Sequence, residues 1–377
     1  MDGMSWALAY ATARDAAAAL PGRTVPVEEA LGQVLAAPVR CARPVPAFDN
    51  AAMDGYAIAG DGPWTVRGRV LAGHPAVRPV RAGEAVEIAT GAPVPDGTEA
   101  VLPYEDCAVE QDKVEAVRGP RAHIRRAGDA LAVGSVVVPA GRTVTATVIA
   151  AAVQAGVETV VTHRPPAVSL LVTGDEVITA GTPAPGQVRD SFTGPVGAVT
   201  ARAGGRPLDS SHLPDDPRRL AAALAGTGAD VIVVSGSSSA GAADHLHTLL
   251  AAAKATWLVR GVHCRPGHPQ GLAVLPDGRF AVSLPGNPYA GLVAALTLLE
   301  PLVATLAGRP PGRPPTAAVT GSTRLMPGGV RIVPVAGGRI AGAAGSAGLH
   351  LAAAADALAV LPDDWTSGGS APLLTLP

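Results

Sequence analysis

The sequence predicts a multidomain α/β plus β protein: a central α/β domain on a mainly parallel sheet, an inserted small β domain and a C-terminal β domain. Three observations carry this expectation. The chain has 377 residues, more than one ordinary hydrophobic core organises. Between about residues 167 and 305 apolar β runs alternate with helical segments, the pattern of parallel strands covered on both faces. On either side the pattern changes to short Val-rich runs divided by Gly and Pro, as in small β domains. Hydrophobic residues make up 48% and charged residues 16%, which suits a folded chain rather than a disordered one. Aromatics are only 3%, so Ala, Val and Leu must fill the cores.

The elements follow in order. Residues 4–20 read as a helix ended by Pro21-Gly22. A second helix is expected over Val27–Ala37, with Glu28 and Glu29 in the first turn where carboxylates suit the helix dipole. Pro38, Pro44 and Pro46 then force an extended connector. From about 64 to 120 the runs WTVRGRVLAG, EAVEIATG, EAVLPYEDCAVE and KVEAVRG read as strands. A helix over Thr145–Gln154 stops at Gly156, and Pro165-Pro166 marks a boundary. The strands AVSLLVT, ADVIVVS and FAVSLP alternate with helices at 193–204, Asp244–Lys254 and Tyr289–Leu306. After GRPPGRPP come the β runs AAVTGSTRL, GVRIVPVAG and ALAVLP. The expected division is 1–46 with 121–163, then 47–120, 164–308 and 309–377.

A net charge of -2 argues against a nucleic-acid surface. Cys41, Cys107 and Cys264 form no C-x-x-C pair, which suggests neither a disulfide framework nor a zinc site and fits a reducing cytoplasm. The N-terminal residues lack a basic region followed by an apolar run. The stretch around Val144–Val153 is broken by Thr and Gln, so a soluble protein without a membrane span is expected.

In an open parallel sheet, ligands bind beyond the carboxyl ends of the strands. Thr173-Gly174-Asp175-Glu176 places two carboxylates at such an end, where Mg²⁺ can be held together with substrate phosphate. Ser235 to Asp244, SGSSSAGAAD, offers small residues and hydroxyls to an anion at a helix start, although it is no P-loop. Leu284-Pro285-Gly286-Asn287-Pro288 makes a tight turn into a helix, and Arg265-Pro266-Gly267-His268-Pro269 sets a cation and an imidazole in a rigid turn. Phe48–Ala57 and Thr90–Gly97 add Asp54 and the Thr90 hydroxyl. Taken singly, each of these segments is equally a plain turn or cap.

Their combination and order, FDNAAMDGYA, ATGAPVPDGTEAV, RRAGD, TGDE, SGSSSAGAAD, RPGHP and LPGNP, resembles the molybdopterin molybdenumtransferase family of the MoeA and gephyrin E-domain type. That resemblance implies a homodimer of four-part subunits. A molybdopterin-binding α/β domain would face the partner's β domain across the active site. It also implies insertion of molybdate into adenylylated molybdopterin with release of AMP and help from Mg²⁺, and a molybdopterin adenylyltransferase as partner. Carried over by motif, Asp54, Thr90, Glu176, Asp216 and Asp244 take the catalytic positions, with Glu176 and Asp244 at the metal. Ser235, Gly236, Ser239 and Gly241 would hold the pterin phosphate. Arg265 and His268 would face molybdate or phosphate, and Pro285, Gly286, Asn287 and Pro288 would shape the pterin pocket.

The chain departs from the pattern at four places. Ser237 and Ser238 stand where the family's anion loop has Gly-Val. His268 stands where it has Lys, and Phe192 where it has Asn. The Arg-rich segment of the last domain is reduced to Arg324 and Arg331. Two readings follow: an active transferase, or a paralogue that binds molybdopterin or a related nucleotide as carrier, sensor or assembly partner.

Overall fold

The computed structural model describes residues 3–74, 78–236, 245–309, 312–342 and 345–377. Ser5 caps α1 (Trp6–Asp15) by accepting from the Leu8 amide. The helix ends well before residue 20, and Leu20 instead donates its N–H to the Leu306 carbonyl. Trp6, Ala9 and Ala13 lie on one buried stripe, and the Trp6 indole donates to Thr297 Oγ1 at 3.1 Å. β1 (Gly22–Pro26) leads into a single 3₁₀ turn, Val27–Ala30. The helix expected to reach Ala37 therefore does not form. Gly32 turns at φ +78° and the Leu35 amide bonds to the Arg142 carbonyl, so tertiary pairing takes over what propensity would have made helical.

A six-stranded sheet follows, built from β2 (Gly55–Ile58), β3 (Trp64–Val70), β4 (Glu84–Ile88), β5 (Ala100–Pro103), β6 (Cys107–Glu110) and β7 (Lys113–Ala116). Its order is β5-β2-β4-β3-β7-β6, and separate apolar clusters cover its two faces. β2 and β5 lie unusually close: a Cβ on Gly55 would sit 1.8 Å from the Leu102 carbonyl oxygen. α2 (Ala146–Gln154) starts at Thr145, whose side chain accepts from the Val148 amide. β8 (Thr159–His163) pairs with β1, and residues of both pack with α2 in a core of their own.

The central sheet contains β9 (Ala167–Thr173), β10 (Arg206–Pro207), β11 (Ser211–Leu213), β12 (Val231–Ser235), β13 (Thr256–Arg260), β14 (Gly271–Val274) and β15 (Phe280–Leu284). Its order is β10-β9-β12-β15-β14-β13, with β11 also against β9. β9 to β12 and β12 to β15 run parallel, as the apolar runs predicted. β14 and β13 are antiparallel, which makes the sheet mixed. The cause is local: Asp277-Gly278, with Gly278 at φ +87°, closes a hairpin between β14 and β15. Helices α3 (Thr193–Arg202), α4 (Pro217–Gly226) and α5 (His245–Ala252) cover it.

The long helix α6 (Pro288–Leu306) is continuous through a π stretch at Ala295–Leu299. Pro301 has no N–H to give Thr297, and widening the preceding turn accommodates that loss. By length and hydropathy α6 could cross a bilayer, and it is a longer apolar segment than Val144–Val153. It is instead mostly buried between α1 and the central sheet. The last sheet combines β16 (Thr316–Ala318), β17 (Val330–Ala336), β18 (Ala357–Pro362) and β19 (Ser370–Thr375). Its edge pairs β17 in parallel with Cys264-Arg265, setting Arg265 beside Arg331.

Candidate active site

Three of the predicted loops meet at one sheet edge. Thr173 closes β9, and its hydroxyl donates to the Ser235 carbonyl at 2.8 Å. Gly236 follows at φ +97°, where a Cβ would lie 2.5 Å from the Thr173 carbonyl oxygen. Across the gap, a Cβ on Gly286 would meet the Gly236 Cα at 3.4 Å. Bare backbone therefore faces bare backbone, which suits a phosphate bound by amides. Ser235 and Pro285 are buried beneath this contact, while Gly286 and Asn287 are exposed above it. Pro288 opens α6 at its first turn. Ser239, Gly241 and Asp244, with Ser237 and Ser238, lie outside the described residues.

Glu176 is exposed, and its carboxylate folds back over Gly174. Asp175 Oδ1 accepts from the Asp215 amide at 3.3 Å. β11 thus brings Asp216 to the same edge, but as the cap of α4, accepting from the Arg218 amide at 2.8 Å. Among the described residues no three His, Cys, Asp or Glu side chains form a metal cage. Asp175 and Glu176 do fit the Mg²⁺ mode in which one or two carboxylates act with waters and substrate phosphate.

Beside this edge lies a cleft of about 530 Å³, bordered by Arg265, His268, Asn287, Arg324, Arg331 and Ser346. The strand pairing of Arg265 with Arg331 builds one wall. The Ala290 amide, which donates to the Ser346 carbonyl at 3.0 Å, fastens the other. Arg331 Nε and Thr323 Oγ1 are buried with no partner among the described residues. Cys264 closes the floor. Burial pushes its thiol up to about 12 against the bond from Gln270 Nε2, so it stays uncharged. His268 Nδ1 bonds to the Val262 carbonyl at 2.8 Å, and its ring stacks on that of His263 with centroids 6.2 Å apart.

The remaining predicted residues form a second group. Asp54 Oδ1 accepts from the Thr90 amide at 2.7 Å, joining residues 36 apart in sequence at one end of the small sheet. Nearby, the Ala127 amide and the Arg126 guanidinium hold the Asp49 carboxyl below the usual carboxylate range, so FDN and RRAGD also meet. Among the described residues, no hydrogen bond or ion pair joins Asp54 or Thr90 to the central sheet's loops.

Sequence reasoning missed three contributors. His212 Nε2 bonds to Asp190 Oδ2 at 3.0 Å, within a network that includes the Thr193 hydroxyl. Burial of Asp190 opposes ionisation, but bonds from Thr193, Phe192 and His212 outweigh it and hold the carboxyl below its usual range. Thr323 and Ser346 reach the cleft from the C-terminal sheet, and no local motif announces either. Phe192, where a polar residue was expected, is a core residue. A Cβ on Gly291 would sit 2.2 Å from its ring, so it packs beneath the start of α6.

The chain is similar to known proteins over most of its length. Residues 4–156 match the MoeA N-terminal region (domain I and II), and residues 169–305 match a probable molybdopterin binding domain. Molybdopterin molybdenumtransferase 2 of Mycobacterium tuberculosis (strain ATCC 25618 / H37Rv) is 32% identical over 329 residues, covering 82% of this chain and 81% of that protein. The molybdopterin molybdenumtransferase of Haemophilus influenzae is 31% identical over 296 residues, covering 75% and 72%. Two structures of molybdopterin biosynthesis MoeA protein from Pyrococcus horikoshii superpose with TM-scores of 0.80 and 0.73. They cover 100% of this chain and 99% and 100% of theirs, at 24% and 23% identity, a likeness of fold.

Proposed function

The chain belongs to the molybdopterin molybdenumtransferase family, transferases of molybdenum cofactor biosynthesis, and from that premise we propose that it inserts molybdate into adenylylated molybdopterin with release of AMP. The observation that carries this reading is the pairing of a glycine-lined sheet edge with a cationic cleft. Gly236 and Gly286 place no side chain at this edge, so a phosphate could approach the backbone closely. Next to them, Arg265, Arg324 and Arg331 supply charge, with no carboxylate in the lining among the described residues. An oxyanion there would also meet the unpartnered Arg331 Nε and Thr323 Oγ1.

The dithiolene supplies the sulfur ligands, so the protein's task is to position two anions and offset their charge. Ser235 and Gly236, with Ser239 and Gly241, hold the phosphate, while Pro285, Gly286, Asn287 and Pro288 border the pterin. Glu176 with Asp244 would hold Mg²⁺, which would supply positive charge to offset that of the phosphates. The partner subunit of a homodimer presents Asp54 and Thr90, the group that stands apart within one chain. The setting is cytoplasmic, with a molybdopterin adenylyltransferase supplying the substrate.

The test is complementation of a strain that lacks molybdenum insertion, grown at low molybdate. Rescue is expected, and Glu176→Ala should abolish it. Failure to rescue with pterin binding retained would support the carrier reading, which the His268 departure and the loss of the anion loop's glycine at Ser237 favour.

A further inference from the structure

The cleft holds an imidazole whose hydrogen bonds fix its tautomer. A carbonyl oxygen can only accept, so His268 Nδ1 carries a hydrogen in its bond to Val262. A second proton must therefore add at Nε2, which has no partner among the described residues. The neutral ring brings a lone pair and no charge, whereas the imidazolium brings a donor and a positive charge.

The groups around it decide when that charge is welcome. Arg265, Arg324 and Arg331 border the same cleft, and Cys264 stays a neutral thiol. Among the described residues no Asp or Glu lines the cleft to balance another cation. The charged lining among the described residues is wholly cationic, so a bound dianion is the group that would favour a second proton at His268 Nε2.

His263, stacked against it, is held in the other state. The Gly3 amide donates to His263 Nε2 at 2.9 Å, so that nitrogen carries no proton and the ring is neutral. Protonating His263 would break the Gly3 bond and set two imidazolium rings face to face. Of the pair, His268 is the one placed to accept the proton. Met1 and Asp2, which precede Gly3, lie outside the described residues.

We propose that oxyanion binding in this cleft is coupled to uptake of one proton by His268. The chain would take molybdate as an anion plus a proton, where a lysine at this position would take the anion alone. The inference rests on the cleft being the oxyanion site proposed above.

Calorimetric titration of the full chain with molybdate, repeated in two buffers of different ionisation enthalpy, tests it. Histidine changes charge between about pH 5 and 8. Between the titration of the free chain and that of the complex, uptake should approach one proton per anion and affinity should fall about tenfold per pH unit, and beyond the latter uptake should vanish and affinity level off. His268→Lys should bind with no uptake and a flat pH profile. His263→Gln and Asp2→Asn should both keep the uptake. Binding by the unaltered chain without proton uptake, or a slope that survives in His268→Lys, would overturn this inference and leave the proposed reaction standing. Absence of molybdate binding at every pH would overturn the reading of the cleft and this inference with it. Circular dichroism of each variant separates loss of fold from loss of binding.

Discussion

At the scale of single residues, the sheet-edge site depends on what is missing as much as on what is present. Gly236 combines φ +97° with a backbone oxygen 2.5 Å from where a Cβ would stand. Gly236→Ala must therefore adopt an unfavourable backbone and also push β9 and β12 apart. A loss of about 2–4 kcal/mol in urea unfolding is expected, with loss of pterin binding. Unchanged stability would mean that the loop re-routes freely. Such residues were only half legible in the sequence. SG and PGN marked turns, but the approach of one glycine to the other depends on β12 lying beside β15, which no local pattern states. Phe192 shows the opposite case. Its change of polarity was visible, yet its meaning, a ring packed under Gly291, needed the helix above it.

At the scale of elements, Asp216 separates two roles. It caps α4 through the Arg218 amide, and the family pattern also gives it a catalytic position. Asp216→Ala should cost about 1 kcal/mol in thermal or urea unfolding, while Asp216→Asn, an equally good cap, should cost little. If Asp216→Asn keeps stability and loses turnover, the carboxylate is chemical. If it keeps both, Asp216 is a cap alone. The start of β12 is fixed by a second carboxylate. Burial of Asp230 disfavours its charge, but the bidentate Arg164 and the Ala167 amide outweigh that and depress its carboxyl. A depressed carboxyl adds stability above the unfolded value of about 3.9 and loses it as pH falls through the folded one. Asp230→Ala should therefore be less stable by about 1–3 kcal/mol near pH 7. The gap should narrow as pH falls below the unfolded value of about 3.9, as urea midpoints near pH 7 and in acid would show.

Strands and helices of the central sheet were the easiest elements to foresee, because a long apolar run or a helical stripe leaves a strong local mark. The Thr145 cap and the start of α6 fell where expected. The missing helix after Ala30 did not, since it follows from a partner distant in sequence, and the two antiparallel strands did not, although the turn that sets β14 against β15 is local.

At the scale of the whole molecule, the candidate site is split. Asp54 and Thr90 form one group on the small sheet, and Glu176 belongs to another on the central sheet. Mixing two inactive variants, Asp54→Ala and Glu176→Ala, distinguishes a shared site from two separate ones. If each site draws on both subunits, random exchange puts both lesions in one site of a mixed dimer and neither in the other. About a quarter of wild-type activity should then return. If both groups serve the same subunit, mixing should restore nothing. This split was not legible from motif order, because order along a chain says nothing about which copy completes a site.

The two-residue pairing of Cys264-Arg265 with Val330-Arg331 sets like charges side by side where the central and C-terminal sheets join. If the cleft takes an oxyanion as proposed, that cargo would act as mortar between the two halves of the chain, and loading and stiffening would be a single event.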